Sequence, residues 1–305
     1  MVTNSAPFGT MTPPVGPPPD PDTMDALLVQ IDNQLQTGPL DPSDRALIEK
    51  MVIGLGDTRG MVRLQFAEYL GKAIGQAAVP HLIEALTTHK NPVVRRASAK
   101  TLTLIRDPDA IPTLVKAFLT DEDTVVRGSC IGALADTGKP SAPVLLEILS
   151  DPSHSEIIKG HAAWALAVIG SDAGEALFKA ATSDLDDVRQ AAVGAIASIA
   201  RENQDEKAIA ILINALDDGN TEVRLEAASA LGEVKSSAAR PKLVAHLNDT
   251  DAEVRKAMAL ALMKVGDRDT IPVLQDALEK ETDEGIKRVL ALAVGQLQNR
   301  LGNSA

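Results

Sequence analysis

Hydrophobic residues along this chain follow a pattern that repeats every 30 to 35 residues. In each interval, two stretches with apolar residues at helical spacing are separated by a short polar segment, as in AVPHLIEALTTHKNPVVRRASAKTLTLI from Ala78 to Ile105. Apolar residues at i, i+3, i+4 and i+7 are typical of amphipathic helices. The pattern therefore predicts an all-α solenoid in which each unit is a helix A, a turn and a helix B.

A Val-Arg pair, or a close equivalent, marks the first turn of every predicted helix B. Its basic member recurs at Arg63, Arg95, Arg127, Lys159, Arg189, Arg224, Arg255 and Lys287. Four residues earlier, six of the eight units carry a side chain that favours helix N-caps: Asn91, Asp123, Ser155, Asn220, Asp251 and Asp283. Five units place proline near the start of helix A: Pro80, Pro112, Pro143, Pro241 and Pro272. We therefore predict about eight helix-turn-helix repeats within residues 42–300.

The N-terminal segment differs from the repeats in composition. Residues 1–22 are rich in proline and lack the basic and apolar regions of a secretory signal, so they are predicted to form a disordered tail. Residues 23–37 carry one apolar stripe and are predicted to form a helix that caps the open end of the stack. The solenoid with its capping helix would thus occupy residues 23–305.

Two positions of the B helices are predicted to face the core. With the Val of Val-Arg as position one, position five is mostly small or apolar: Phe66, Ser98, Cys130, Ala162, Ala192, Ala227, Met258 and Leu290. Position nine is aliphatic throughout: Leu70, Leu102, Leu134, Leu166, Ile196, Leu231, Leu262 and Val294. Small residues let helices approach closely, which suits a chain with 45% hydrophobic but only 2% aromatic residues. Cys130 is accordingly predicted to be a buried, inert thiol.

Charge excludes several classes of partner. The net charge of -12 repels phosphate backbones and anionic headgroups, so neither nucleic acid nor a membrane surface is an expected partner. The basic residues of Val-Arg, lying beside acidic caps, are predicted to form ion pairs between repeats and not a polyanion site. No apolar run reaches spanning length, and a single cysteine predicts a reducing, cytoplasmic setting.

The only tryptophan of the chain stands where glycines gather. Trp164 is at position seven of its helix B, a position whose polarity varies and which is predicted, with position three, to be an exposed strip on the concave side. The neighbouring repeats carry Gly132 and Gly194 at position seven, and Gly128 and Gly160 lie at position three. Glycine within a helix costs about 0.5–1 kcal/mol relative to alanine. The residues predict a shallow hollow for a flat ligand or a partner's side chain; alternatively, the indole folds over the glycines and fills their space.

Three further polar residues are candidates for this hollow. His161, one turn before Trp164, offers a donor or acceptor at its edge. Arg96 and Lys100 are cations on the same predicted strip and could receive carboxylates. The five histidines show no metal-ligand spacing, and no phosphate loop, dinucleotide fingerprint or Ser-His-Asp arrangement is present, so neither a metal nor a cofactor is predicted.

Five segments together resemble the phycobilisome-lyase HEAT-like repeat family over residues 44–300: LGDTRGMVRLQFAEYLGK, NPVVRRASAKTLTLI, DTVVRGSCIGALADTG, IIKGHAAWALAVIG and DDVRQAAVGAIASIA. GHAAWALAVIG is most similar to members that handle bilins. The resemblance implies a HEAT-like fold and one of several functions: attachment or removal of a linear tetrapyrrole on phycobiliprotein cysteines, phycobilisome turnover, or scaffolding. It supplies no catalytic motif, and the absence of His-Glu dipeptides excludes the di-iron HEAT enzymes.

Two hypotheses follow from the resemblance. In the first, a bilin lyase or bilin-binding chaperone holds the pigment at Trp164 and presents it to a partner's thiol, in a carbon–sulfur lyase reaction or without catalysis, with a phycobiliprotein or a second HEAT-like subunit as partner. In the second, the protein is a non-catalytic scaffold that grips another protein along the strip. Leu260 and Leu292 extend position seven as apolar residues and, if exposed, would mark such a surface.

Overall fold

The computed structural model describes residues 18–302, the side chain of residue 203 excepted, and within them every regular element is helical. The α-helices are α1 Pro21–Thr37, α2 Arg45–Gly54, α3 Gly60–Glu68, α4 Val79–Thr88, α5 Pro92–Ile105, α6 Ile111–Thr120, α7 Thr124–Thr137, α8 Ala142–Ser150, α9 Glu156–Ile169, α10 Gly174–Ala180, α11 Asp186–Asn203, α12 Glu206–Ala215, α13 Thr221–Val234, α14 Arg240–Ala245, α15 Ala252–Val265, α16 Thr270–Lys280 and α17 Glu284–Gly302. From α2 onward they alternate as helices A and B, which confirms the predicted all-α repeat fold with eight helix pairs.

The chain divides into two compact units, residues 1–144 and 145–305. In the first, α4 packs on α5 and α6 on α7, while the B helices α3, α5 and α7 stack in order. In the second, the B helices α9, α11, α13, α15 and α17 stack in order, and α12 and α16 pack on the helices that follow them. Stacking of each helix B on the next is the contact pattern of repeat proteins.

The first helix packs against the first repeat. α1 contacts α3 and buries Met24, Leu27, Leu28 and Ile31. It begins at Pro21, two residues earlier than predicted, because Asp20 caps it by accepting the Thr23 N–H at 2.9 Å. Residues 1–17, the larger part of the predicted tail, lie outside the described residues.

Positions five and nine of the B helices form the core, as predicted. All sixteen residues at these positions are buried, from Phe66 and Leu70 to Leu290 and Val294. Cys130 is fully buried, and burial raises the pKa of its thiol to about 12. The thiol therefore remains protonated near neutral pH and is inert, as expected for a core residue.

The predicted N-caps begin the B helices at the expected positions. The six cap residues that were identified from the sequence, Asn91, Asp123, Ser155, Asn220, Asp251 and Asp283, all immediately precede their helices. Five of them accept backbone N–H groups of the first turn, as Asp123 does from Val125 at 2.8 Å. The exception is Ser155, whose side chain makes no cap hydrogen bond to α9.

Basic residues of the Val-Arg pairs form the predicted ion pairs between repeats. Five reach an acid of the next repeat: Arg95–Asp121, Lys159–Asp187, Arg189–Asp218, Arg224–Asp249 and Arg255–Glu281, at 2.8 to 3.1 Å. The other three differ, since Arg63 and Arg127 donate to backbone carbonyls and Lys287 pairs with Glu284 of its own helix.

The acidic partners are not the cap residues that the sequence indicated. In four of the five pairs the acid lies two positions before the N-cap, where it also accepts the N–H of the cap residue, as Asp218 does from Asn220 at 2.8 Å. One carboxylate thus fixes the turn and binds the preceding repeat. The cap residue itself is occupied by its own helix.

Acid should weaken the Arg255–Glu281 ion pair. The side chain of Glu281 is 5% exposed and accepts two hydrogen bonds from Arg255, at 2.8 and 3.0 Å, which lower its pKa from 4.5 to about 2. Because the folded-state pKa is depressed, the stabilisation is complete above pH 4.5 and disappears as the pH falls towards 2. We expect Glu281→Gln to lower the free energy of unfolding by about 1–2 kcal/mol at pH 7, with a smaller difference from wild type at pH 3.

Urea unfolding at the two pH values measures this difference. Glu279→Gln, at an exposed position two residues earlier in α16, is the matched control and should change stability little at either pH. A constant difference between Glu281→Gln and wild type from pH 7 to pH 3 would contradict the assignment.

Candidate functional site

Positions three and seven of the B helices form the exposed strip, as predicted. None of the sixteen residues at these positions is buried. Trp164 on α9 is 50% exposed, which confirms that the indole is open to solvent. Its role in binding a ligand stays a prediction.

Exposed apolar residues run the length of α9. The helix buries Ala162, Ala165, Leu166 and Ile169 on one face and is followed by Gly170, whose φ of 60° favours glycine. On the opposite face, Ile157, Trp164 and Val168 are 70%, 50% and 51% exposed.

Spacings of seven and four residues place these three side chains in one line, here named the α9 ridge. His161, which is also exposed, lies in the same line. Ile157 and Val168 were not among the residues predicted for the site, although their spacing from Trp164 carries the signal.

Three of the four glycines predicted for the hollow are open. A Cβ atom added at Gly128, Gly132 or Gly160 would meet no atom within 4 Å. At Gly194, by contrast, an added Cβ would lie 3.2 Å from Oε1 of Glu226. The space beside Gly194 is therefore not open, because a carboxyl group of the next helix B occupies it.

Open glycine positions should accept alanine with a gain in stability. Gly160 lies inside α9 with no neighbour to displace, so we expect Gly160→Ala to raise the free energy of unfolding by about 0.5–1 kcal/mol. Gly194→Ala is the matched control and should give no such gain, because its methyl group would crowd Glu226. Urea unfolding of the two variants measures the difference, and equal gains would contradict the contact between Gly194 and Glu226.

Arg96 and Lys100 lie one turn apart on the exposed strip of α5. Within the described part of the chain, neither forms an ion pair. Burial and the charge of Arg96 lower the pKa of Lys100. Two cations without an ion-pair partner suit a carboxylate, as the sequence indicated.

The predicted site residues fall into both units. Arg96, Lys100, Gly128 and Gly132 belong to residues 1–144, and Gly160, His161, Trp164 and Gly194 belong to residues 145–305. In the second unit α9 packs on α11, so that Trp164 and Gly194 occupy equivalent positions on adjacent helices.

Glu226 on α13 is a candidate that the sequence analysis missed. Its half-buried carboxyl lies over Gly194, and burial and nearby Glu233 raise its pKa. No alignment of the B helices reveals this contact, because it joins position four of one repeat to position seven of the repeat before it.

The described residues contain neither a metal-ligand cluster nor a membrane-spanning helix. Residues 18–302 contain no group of three or more His, Cys, Asp or Glu side chains arranged to hold a metal ion. Among the same residues, no helix is both long enough and apolar enough to cross a membrane.

Comparison with known proteins identifies the family. The model of the HEAT repeats family matches residues 48–135, 117–197, 142–221 and 209–295. The bilin biosynthesis protein MpeU of Synechococcus sp. (strain WH8020) is 45% identical over 272 residues, which cover 89% of this chain and 91% of that protein. Phycocyanobilin lyase subunit alpha of Picosynechococcus sp. (strain ATCC 27264 / PCC 7002 / PR-6) is 39% identical over 82 residues, or 25% of this chain and 31% of that subunit.

Among solved structures, the complex of CpcE and CpcF of phycocyanin lyase from Nostoc sp. PCC7120 is 22% identical over 85% of this chain and 96% of the matched chain, with a TM-score of 0.33. The matches over the repeats and to MpeU confirm the family that the repeat motifs indicated. This chain belongs to the HEAT-repeat proteins and, among them, to the phycobilisome-lyase group.

Proposed function

We propose that this protein binds a linear tetrapyrrole at the α9 ridge and delivers it to, or removes it from, a phycobiliprotein. The observation that carries the proposal is the exposure of Trp164, the single tryptophan of the chain, beside the open backbone at Gly160. Exposing an indole gives up favourable burial, and an aromatic face is a platform for a conjugated ligand. The 45% identity to a bilin biosynthesis protein supports this choice of ligand.

The chemistry of the pigment suits the residues of the exposed strip. A linear tetrapyrrole is flat and conjugated, so that it can stack on the indole of Trp164, and the exposed His161 lies one turn away. Arg96 and Lys100, in residues 1–144, have no ion-pair partner among the described residues, and we propose them as a separate place for a carboxylate, such as one on the partner protein.

Positioning would be the main catalytic contribution in this proposal. The only cysteine, Cys130, is buried with its thiol protonated, so the sulfur that carries the pigment would come from the acceptor protein. Holding the pigment against that thiol converts an encounter of two molecules into a step within one complex. A carbon–sulfur lyase activity is thus compatible with a chain that lends no nucleophile.

Titration with phycocyanobilin tests the proposal. Because Trp164 is the only tryptophan, its emission reports on this site alone. We expect phycocyanobilin to quench the emission in a saturable manner and the absorbance band of the pigment to shift. Trp164→Phe should retain the absorbance shift, because phenylalanine preserves an aromatic face. Emission and absorbance that both stay unchanged at saturating pigment would contradict the proposal.

The second candidate is a protein-docking scaffold, and the length of the α9 ridge favours it. Ile157 and Val168 add exposed apolar surface on both sides of Trp164, more than one flat ring system needs. A phycobiliprotein subunit or a second HEAT-like subunit is the proposed partner. In the Ile157→Ser, Val168→Ser double variant, a scaffold would lose affinity for an apo-phycocyanin subunit while the quenching by phycocyanobilin persists.

Leu292 on α17 is a separate exposed apolar residue of the strip, with 50% exposure. Its exposure is the condition under which the sequence predicted a partner surface at this position. We include it in the scaffold proposal, with Leu292→Ser as the variant that would weaken docking there.

A further inference from the structure

The carboxyl group of Glu226 accepts no hydrogen bond from any residue that the structure describes. The Glu226 side chain forms no hydrogen bond or ion pair within residues 18–302, although it is half-buried. Its carboxyl lies over Gly194, where an added Cβ would approach Oε1 to 3.2 Å and the carboxyl carbon to 3.6 Å. A glycine inside α11 costs stability, so the space that holds this carboxyl group comes at the expense of helix propensity.

The arginines of α11 and α13 are all paired with other acids. Arg189 pairs with Asp218 and Asp186, and Arg224 pairs with Asp249. Arg201 pairs with Glu233, the residue that lies two turns beyond Glu226 on α13. With no cation of the described residues within ion-pair distance, the half-buried Glu226 carboxyl group has unused acceptor capacity.

The location of this carboxyl group relates it to Trp164. Gly194 and Trp164 occupy position seven on adjacent helices, and Glu226 reaches from α13 back over α11. Packed helices lie about 8–10 Å apart, so the carboxyl is about one helix spacing from α9. A ligand that stacks on the indole and extends along the strip towards α13 would pass over it.

We infer that Glu226 binds the pyrrole N–H groups of the linear tetrapyrrole whose ring system stacks on Trp164. This inference rests on the proposed function. The pyrrole nitrogens are the donors of an otherwise apolar ring system, and a carboxylate accepts several such bonds at once. A carboxylate held against these nitrogens also favours the protonated pigment, which absorbs at longer wavelength.

The alternative occupants of the carboxyl are less suited to it. A metal ion would require further ligands, and residues 18–302 hold no cluster able to supply them. A lysine or arginine of a protein partner would bind Glu226 without needing Trp164. Dependence of the same ligand on both residues therefore separates a pigment from a cationic side chain.

Glu226→Gln tests the inference with phycocyanobilin as the probe. Hydrogen bonds to a charged group support a weakening of binding on the order of ten- to a hundred-fold, measured by quenching of Trp164 emission. The absorbance band of the bound pigment should also move to shorter wavelength. Glu222→Gln removes a charge from an exposed position one turn earlier on α13 and should change the dissociation constant less than about two-fold.

Gly194→Ala provides a second variant that leaves Glu226 in place. Its methyl group would displace the carboxyl by a few tenths of an ångström, and we expect an intermediate loss of affinity with a smaller absorbance change. A dissociation constant and spectrum unchanged in Glu226→Gln, together with weakened binding in Trp164→Ala, would overturn this inference and leave the proposed function intact. Absence of phycocyanobilin binding by the wild-type protein would overturn both.

Discussion

Phe66→Ala is expected to lower the free energy of unfolding by about 3–5 kcal/mol, the largest stability effect that we predict for a single substitution. Phe66 is fully buried at position five of α3, in a core otherwise built mainly from aliphatic residues and alanine. Loss of its ring removes apolar contact and leaves a cavity that rigid helices fill only in part. The midpoint of urea unfolding measures the effect, and Leu64→Ala, half-exposed on the same helix, is the control.

Gly54 provides a direct test of how tightly the ring is packed. A Cβ atom added at Gly54 would overlap the ring of Phe66, so Gly54→Ala alone should destabilise the protein by about 1–3 kcal/mol. In the Phe66→Ala background the same methyl group enters the cavity and should cost much less. Additive effects of the two substitutions would contradict the close packing of α2 on α3.

Trp164→Ala is expected to weaken binding of phycocyanobilin on the order of ten-fold or more, the largest effect on function that we predict. Stacking of a flat ring on an aromatic side chain typically contributes about 1–3 kcal/mol by alanine substitution. Binding by the variant is followed through the absorbance of the pigment, since the variant has no tryptophan. Ile53→Ala, at a similarly exposed apolar position on α2, is the control and should retain the affinity.

Stability of the same variant separates a binding platform from a space-filling side chain. Because half of the Trp164 side chain is exposed and a Cβ at Gly160 would meet open space, Trp164→Ala should lower the free energy of unfolding by no more than about 1 kcal/mol. A loss of about 3 kcal/mol or more would indicate that the indole packs against the helix and fills space.

The fold could be predicted because the same sequence signals for a helix pair recur in every repeat and support one another. Eight Val-Arg pairs, six cap residues and two core positions with consistent chemistry each indicate the same helix pair. The sequence predicted that the basic residues form ion pairs between repeats, but it did not identify their acidic partners. Asp218 and Asn220 are both of residue types that favour N-caps, and the sequence does not reveal that Asp218 pairs with the preceding repeat while Asn220 caps the helix.

The sequence predicted only those features of the candidate site that depend on a single helix. The exposure of Trp164 follows from the variable polarity of its position, which a single alignment of the B helices reveals. The role of Gly194 depends on Glu226, a residue more than 30 positions away in another repeat, and no periodic pattern connects the two. Ile157 lies before the Val-Arg equivalent of α9, and Val168 lies after position nine. Neither residue is therefore among the positions that were aligned between the B helices.

A crystal structure of the protein with bound phycocyanobilin tests the central claim most directly. We predict a conjugated ring of the pigment within about 4 Å of the Trp164 indole, with its pyrrole nitrogens directed towards α13. Pigment bound elsewhere on the protein, with the α9 ridge exposed to solvent or covered by another polypeptide, would contradict the claim.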